Sequence, residues 1–139
     1  MIIMSVDLGC ARTGLAICDK DEILASPLCT INEKDFEVLA KKIQEKIVEI
    51  KPKLIIIGLP LNMDGSYGES AKKAIDFKKV LASNTDLPID FWDERKTTFT
   101  AHEYLNTLNV RGKKRKNIID ALSASIILEN YLNYRKRNL

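Results

Sequence analysis

Two strand-like runs lie in residues 2–19, IIMSVDLGCARTGLAICD. Residues 2–7 are apolar, rich in β-branched side chains, and end in a carboxylate, and residues 14–19 form the second run after a turn that contains glycine. A polar turn then leads to a third predicted strand over residues 23–31. Connections this short favour antiparallel neighbours. Pro27 predicts that the third strand lies at the sheet edge or is interrupted.

The rest of the chain alternates between helical and strand patterns. Apolar residues recur at three- and four-residue spacing over residues 33–51, with Asn32 as the expected N-cap and Pro52 as the stop. The further predicted elements are strands at 54–58 and 88–92, helices at 69–82, 97–108 and 117–134, and a polar segment at 109–116. Strands joined through helices pair in parallel. The predicted fold is therefore α/β, a mixed sheet of three antiparallel and then two parallel strands, with helices on both faces.

The composition is that of one globular domain of 139 residues, in which hydrophobic residues make up 45% and charged residues 29%. No apolar run approaches the roughly 18 residues of a membrane span, and the N-terminus lacks the pattern of a secretory leader. Three scattered cysteines and one histidine make a zinc site improbable. These features predict a cytoplasmic protein with no membrane partner.

The charge is unevenly distributed. The whole chain has a net charge of +3, but residues 111–139 carry eight basic and two acidic residues. A basic end on a mildly acidic body is typical of a nucleic-acid-binding protein. A solvated, solubilising end explains the same pattern, and charge alone does not separate the two interpretations.

Four acidic residues fall at positions where sites form in α/β sheets. Asp7 ends the first strand, Asp93 and Glu94 follow the fifth, and Asp120 opens the last predicted helix. Parallel strands place their carboxyl ends at one edge, and a helix packed there brings a fourth acid. Clustered carboxylates are stabilised by a cation, and oxygen ligands suit Mg²⁺ or Mn²⁺. The sequence therefore predicts one or two such ions activating water for phosphodiester cleavage. The alternative interpretation of these four acids is that each one caps a helix or ends a strand in contact with solvent.

Basic and hydroxyl residues near these acids are candidate substrate contacts. Arg12 and Arg95 suit bidentate phosphate binding, and Gly9 and Gly14 permit close approach of the backbone to a ligand. Thr97 and Thr98 are predicted first as caps of the following helix and second as phosphate contacts. The predicted flexible arm RGKKRK precedes Asp120 and is expected to follow a nucleic-acid backbone with Lys113, Lys114, Arg115 and Lys116. Trp92 is expected to cover the core edge rather than to stack on a base.

Four segments resemble the signature blocks of the YqgF family, also called RuvX. They are DLGCARTGLA (7–16), IIGLPLNMDGSYG (56–68), DERKTT (93–98) and IIDALSASIILENYL (118–132). The resemblance implies a ribonuclease H-like fold similar to that of RuvC-type resolvases. It also implies that Asp7 and Asp120 are metal ligands and that the third comes from Asp93 or Glu94, of which Glu94 is favoured. Members of that family are described as pre-16S ribosomal RNA nucleases acting in 5′-end maturation.

Several functions fit this resemblance. The first is a metal-dependent nuclease on structured RNA that takes part in rRNA processing. The second is a Holliday junction resolvase on branched DNA, for which a homodimer is expected. A non-catalytic nucleic-acid-binding factor would keep the basic segment without needing the acids. A phosphate-binding ATPase or sugar kinase is disfavoured, because such proteins clamp nucleotide between two domains.

Overall fold

A computed structural model describes the backbone of residues 1–96 and 113–138 and the side chains of residues 1–96 and 119–138. The described part contains one mixed sheet in the order β3-β2-β1-β4-β5. Its strands are β1 (Ile3–Leu8), β2 (Arg12–Cys18), β3 (Ala25–Asn32), β4 (Leu54–Leu59) and β5 (Ile89–Asp93). The first three pair antiparallel, whereas β1, β4 and β5 run parallel. The predicted topology is confirmed, and all three carboxyl ends of the parallel strands meet at one edge.

The third strand lies at the edge of the sheet, as Pro27 predicts. Leu15 pairs with Cys29 and the next residue, Ala16, pairs with Pro27, so the ladder skips Leu28 in a bulge. Proline has no N–H to donate, and an edge strand with a bulge is one of the few sheet positions that tolerates it.

Helices cover both faces of this sheet. On one face α1 (Phe36–Ile50) and α2 (Glu69–Ala82) bury an apolar core that includes Phe77 and Leu39. On the other face α3 (Lys113–Arg137) packs on a second core. A short 3₁₀ turn, Glu94–Lys96, follows β5. Side chains alternate along a strand, so on β1 Asp7 shares the second face with Ile3, whereas on β5 Asp93 lies on the other side from Trp92.

The first helix begins later than predicted. Its N-cap is Asp35, whose side chain accepts a hydrogen bond from the backbone N–H of Val38 at 3.1 Å, whereas Asn32 is the last residue of β3. Both residue types cap well, and the strand pairing of Asn32 with Arg12 decides between them. The helix ends as Pro52 predicts, with Lys51 in the left-handed conformation (φ 59°).

The last helix begins four residues earlier than predicted. Lys113 to Lys116 are helical, so the prediction of a flexible arm is wrong for this part of it. Lys and Arg are good helix formers, and the helix that packs on the sheet extends through them. The predicted helix at 97–108 and the residues 109–112 lie outside the described residues.

The far end of α3 is tied to the β2–β3 turn. Glu22 accepts a hydrogen bond from Arg135 at 2.6 Å through one oxygen and pairs with the Met1 ammonium at 3.0 Å through the other. Neither α3 nor any other helix of the described residues is long and apolar enough to cross a membrane.

Candidate active site

Asp7 lies on the face of the sheet that α3 covers. Side chains alternate along a strand, so Asp7 shares its face with Ser5 and Ile3. Ile3 belongs to the core under α3, and the Ser5 hydroxyl donates a 2.6 Å hydrogen bond to the carbonyl of Ala124 in that helix. Asp7 follows them toward the carboxyl end of β1, where the first described turns of α3 pass over the sheet.

Gly14 is the position that brings α3 to Asp7. It is the register partner of Asp7 on β2, and a Cβ built there would lie 1.8 Å from the backbone oxygen of Asp120. Only a residue without a side chain allows this approach. Gly9 likewise faces the carbonyl of Arg12, at 2.1 Å from its hypothetical Cβ. In this structure both glycines therefore admit protein backbone, whereas the sequence suggested a ligand.

Glu94 reaches the same region from the other side. It begins the 3₁₀ turn directly after β5, two residues beyond Trp92, which pairs with Gly58 of β4. A Cβ on Gly58 would lie 3.1 Å from Oε2 of Glu94 and 2.7 Å from Cδ1 of Ile127. The carboxyl group therefore occupies the space that a side chain at position 58 would fill, in the direction of β1.

Electrostatic coupling links Asp7 to both other acids. Burial, with repulsion by Asp120 as the second cause, raises the pKa of Asp7 to about 6. Burial raises the pKa of Glu94 to about 7, with added repulsion from Asp7 and Asp93. Burial also raises the pKa of Asp120, and the neighbouring Arg12 opposes this shift. In all three groups the raised pKa means that the charged form of the carboxyl group is disfavoured, and a bound cation would stabilise that form.

The donor set fits a hard divalent cation. All three groups offer oxygen, and Oδ2 of Asp120 is buried without a hydrogen bond in the described structure, although Arg12 Nε lies 3.2 Å away as an ion pair. Within the described side chains, no three acidic, His or Cys residues are placed so that they could hold a metal ion together. Asp7 is coupled to Asp120 and to Glu94 in pairs, and Mg²⁺ in particular is held by few protein ligands and completes its shell with water and phosphate.

The structure separates Asp93 from Glu94. The guanidinium and the backbone N–H of Arg95 donate to Asp93, the shortest contact being 2.7 Å from Nη2 to Oδ2. These bonds hold the pKa of Asp93 below its ordinary value. Because Arg95 already binds the Asp93 carboxylate, whereas Glu94 faces Asp7, the geometry favours Glu94 as the third candidate metal ligand.

The predicted basic contacts have different surroundings. Arg95 is engaged by Asp93 and also donates to the carbonyl of Met63 at 3.4 Å. Arg12 pairs with Asp120, with 39% of its side chain exposed. Thr97 and Thr98 lie outside the described residues, and for Lys113, Lys114, Arg115 and Lys116 only the backbone is described, between one and two helical turns before Asp120. Asp120 itself lies inside α3 and does not open it, contrary to the prediction.

Sequence reasoning missed Gly58 and Ser5. Gly58 ends the apolar run LIIIG, and a glycine inside a buried strand is a known sign of close approach by another group. Gly58 could therefore have been identified from the sequence. Ser5 could not, because a lone serine in a strand does not reveal which carbonyl its hydroxyl will reach.

Comparisons with known proteins agree with this architecture. A family model described as "RuvX: Holliday junction resolvase" matches residues 1–134. A relative from Halothermothrix orenii, named as a candidate pre-16S rRNA nuclease, is 43% identical, and the match covers 99% of this chain and 98% of the relative. A relative of the same name from Caldanaerobacter subterraneus subsp. tengcongensis is 36% identical over 99% of this chain and its own full length.

The solved structure of RuvC from Thermus thermophilus has the same fold. It superposes with a TM-score of 0.62 at 13% identity, over 99% of this chain and 97% of the RuvC chain. Its likeness supports the ribonuclease H-like assignment of the mixed sheet. Taken with the family match and the curated relatives, this establishes that the chain belongs to the RuvX (YqgF) family, a family of nucleases.

Proposed function

We propose that this chain is a divalent-metal-dependent nuclease whose active site is formed by Asp7, Glu94 and Asp120. The observation that carries the proposal is that Asp7, a buried acid, is coupled both to Asp120 and to Glu94. They come from β1, from the turn after β5 and from α3, and burial and repulsion raise the pKa of Asp7 to about 6 and that of Glu94 to about 7. A protein that only needed stability would not retain such an arrangement.

Each residue has a role in this proposal. Asp7, Glu94 and Asp120 hold Mg²⁺ or Mn²⁺, as one ion or as two. When bound, such an ion neutralises the acids, polarises the scissile phosphate and makes a water nucleophilic at neutral pH. Arg12 balances Asp120 and, being half-exposed, is placed to exchange that partner for a substrate phosphate. Arg95 fixes Asp93 and so positions the turn that carries Glu94.

The substrate we propose is structured RNA, with cleavage in the 5′-end maturation of pre-16S ribosomal RNA. The curated relatives carry that name, and they match nearly the whole chain. This substrate implies a role in ribosome biogenesis in the cytoplasm. The description of the family model supports a second candidate, resolution of Holliday junctions by a homodimer.

The first experiment is cleavage of a 5′-extended 16S rRNA precursor by the purified chain with Mn²⁺. Asp7→Asn keeps the shape of the side chain and removes its charge, and we expect it to lower the rate by more than about a hundredfold, since even indirect supports of a metal site are worth 10- to 100-fold. The matched control is Asp76→Asn, at an exposed acid on α2 beyond the opposite face of the sheet, which should cleave as wild type. Equal cleavage by Asp7→Asn and wild type would assign the activity to a contaminant.

A parallel assay distinguishes the two substrates. The wild-type chain is given a symmetric four-way DNA junction and the RNA precursor at equal concentration, and its mass in solution is measured. Cleavage of the RNA alone by a monomer supports the first candidate. Paired, symmetric cuts in the junction by a dimer would replace it with the second.

A further inference from the structure

A polar cavity lies between the turn after β5 and the last turns of α3. It has a volume of about 300 Å³ and is lined by Trp92, Lys96, Asn130, Asn133, Tyr134 and Arg137. We name it the α3 pocket. Nothing in the proposed cleavage chemistry uses these residues, although the pocket opens from the same turn that carries Glu94.

The charge of the α3 pocket is complementary to an anion. Among the described residues, its lining contains two cationic side chains, Lys96 and Arg137, and no acidic one. Both residues are exposed, and among the ion pairs of residues 1–96 and 119–138 neither takes part. This differs from Arg12, Arg95 and Arg135, which carboxylates hold in place. Lys96 and Arg137 are thus basic groups that an incoming phosphate can reach without displacing an acid.

Aromatic rings form the floor of the pocket. Trp92 is buried and packs edge-on against Tyr134, with ring centroids 5.6 Å apart, whereas the Tyr134 side chain is exposed. The Lys96 ammonium lies 5.6 Å from the Trp92 ring and 5.1 Å from the Tyr134 ring. An exposed ring beside a cation is the combination that single-stranded nucleic acid uses, the base on the ring and the phosphate on the cation.

The α3 pocket and Glu94 share one short turn. Lys96 follows Glu94 by two residues in the 3₁₀ turn after β5, and its ammonium lies over the Trp92 and Tyr134 rings, whereas the Glu94 carboxyl lies over Gly58. The two side chains leave the same turn in different directions, so a strand bound in the pocket passes the turn that carries Glu94.

We propose that the α3 pocket binds one nucleotide of the nucleic-acid strand that the active site cleaves, outside the cleavage position, with the phosphate on Lys96 and Arg137 and the base against Tyr134. The inference rests on the proposed nuclease function and adds a subsite to it. The Asn133 amide lines the same cavity and supplies a polar contact to the base or sugar, whereas the Asn130 amide donates to the carbonyl of Ile126 at 2.8 Å.

Binding of a labelled 10-nucleotide single-stranded RNA to the full chain, measured by anisotropy in EDTA, tests this subsite without cleavage. Lys96→Ala should weaken binding about tenfold and reduce the slope of log K against log salt by about 0.7, the value for one lost phosphate contact on a single strand. Tyr134→Ala should weaken binding about tenfold, because the stacked base is lost, whereas Tyr134→Phe keeps the ring and should bind as wild type. Trp92 is the only tryptophan, so its emission should change on RNA binding.

The control is Lys73→Ala, at an exposed lysine on α2 on the opposite face, which should bind within twofold of wild type. Melting temperatures show whether the variants fold, and Lys96→Arg should restore the salt slope if the charge is what matters. Wild-type affinity and salt slope in both alanine variants would overturn the proposed nucleotide subsite. So would an unchanged Trp92 emission on RNA binding. Because no metal is present, this result is independent of whether Asp7→Asn abolishes cleavage.

Discussion

Asp7 shows how a functional group at the residue scale lowers the stability of the metal-free protein. Its pKa is raised to about 6 by burial and by Asp120, so the folded chain holds this proton to a higher pH than the unfolded chain. The free energy of unfolding therefore falls as the pH rises from about 4 to about 6, and it stays at the lower value above that range. At 1.36 kcal/mol per pKa unit, the loss amounts to roughly 2–3 kcal/mol.

Asp7→Asn should consequently stabilise the metal-free protein. In urea unfolding with EDTA at pH 8 we expect the variant to be about 2–3 kcal/mol more stable than wild type, and the difference should shrink toward pH 4. Asp76→Asn, at an exposed position, serves as the reference for a surface substitution. A destabilised Asp7→Asn at pH 8 would mean that the charge is compensated inside the fold.

Asp93 and Glu94 are neighbours in the chain with opposite surroundings. Glu94→Gln should lower metal-dependent cleavage by more than about a hundredfold, because it removes the oxygen charge that faces Asp7. Asp93→Asn weakens the contact with Arg95 and should lower the cleavage rate about tenfold, as expected for a supporting contact. The measurement is the cleavage rate at saturating Mn²⁺, and the reverse ranking would show that Asp93 is the ligand.

At the scale of elements, two glycines set how closely α3 and β5 approach the strands beneath them. Gly58→Ala places a Cβ 2.7 Å from Cδ1 of Ile127 and 3.1 Å from Oε2 of Glu94. We expect a stability loss of about 1–3 kcal/mol from overpacking and a clear loss of cleavage, because Glu94 is displaced. Thermal unfolding and cleavage rate are measured on the same preparation.

A second substitution separates these two effects. Ile127→Val removes Cδ1, so adding it to Gly58→Ala should recover part of the stability, while the contact with Glu94 persists and cleavage stays low. Recovery of stability and cleavage together would mean that Gly58 acts through helix packing alone.

For the whole molecule, metal binding should appear as added stability. An ion that binds only the folded state stabilises it by about 2.7 kcal/mol at a hundred times its Kd. For a chain of 139 residues this corresponds to a rise in Tm of roughly 5–10 °C on adding Mn²⁺. Asp76→Asn should show the same rise and Asp7→Asn should not. An equal rise in both variants would place the ion elsewhere.

The overall architecture followed from local patterns. The five strands, the change from antiparallel to parallel pairing, and α2 at Glu69–Ala82 were predicted from apolar periodicity and connection length, whereas the order of the strands in the sheet came from the structure. The start of α1 and the start of α3 were predicted wrongly. At α1 several residues suit the N-cap, and the pairing of Asn32 with Arg12 on a distant strand chooses among them. At α3 the good helix formers Lys and Arg extend the helix beyond the predicted start.

The amino-acid sequence by itself determined the fold class, the family and which acids are candidates for the active site, because these depend on periodicity and residue type along the chain. Only the tertiary structure decided that Arg95 holds Asp93 and leaves Glu94 facing Asp7, that Arg12 pairs with Asp120, and that Gly14 and Gly58 make room for them. Which charges meet depends on the distances between side chains from different elements. Those distances are fixed when the helix packs on the sheet.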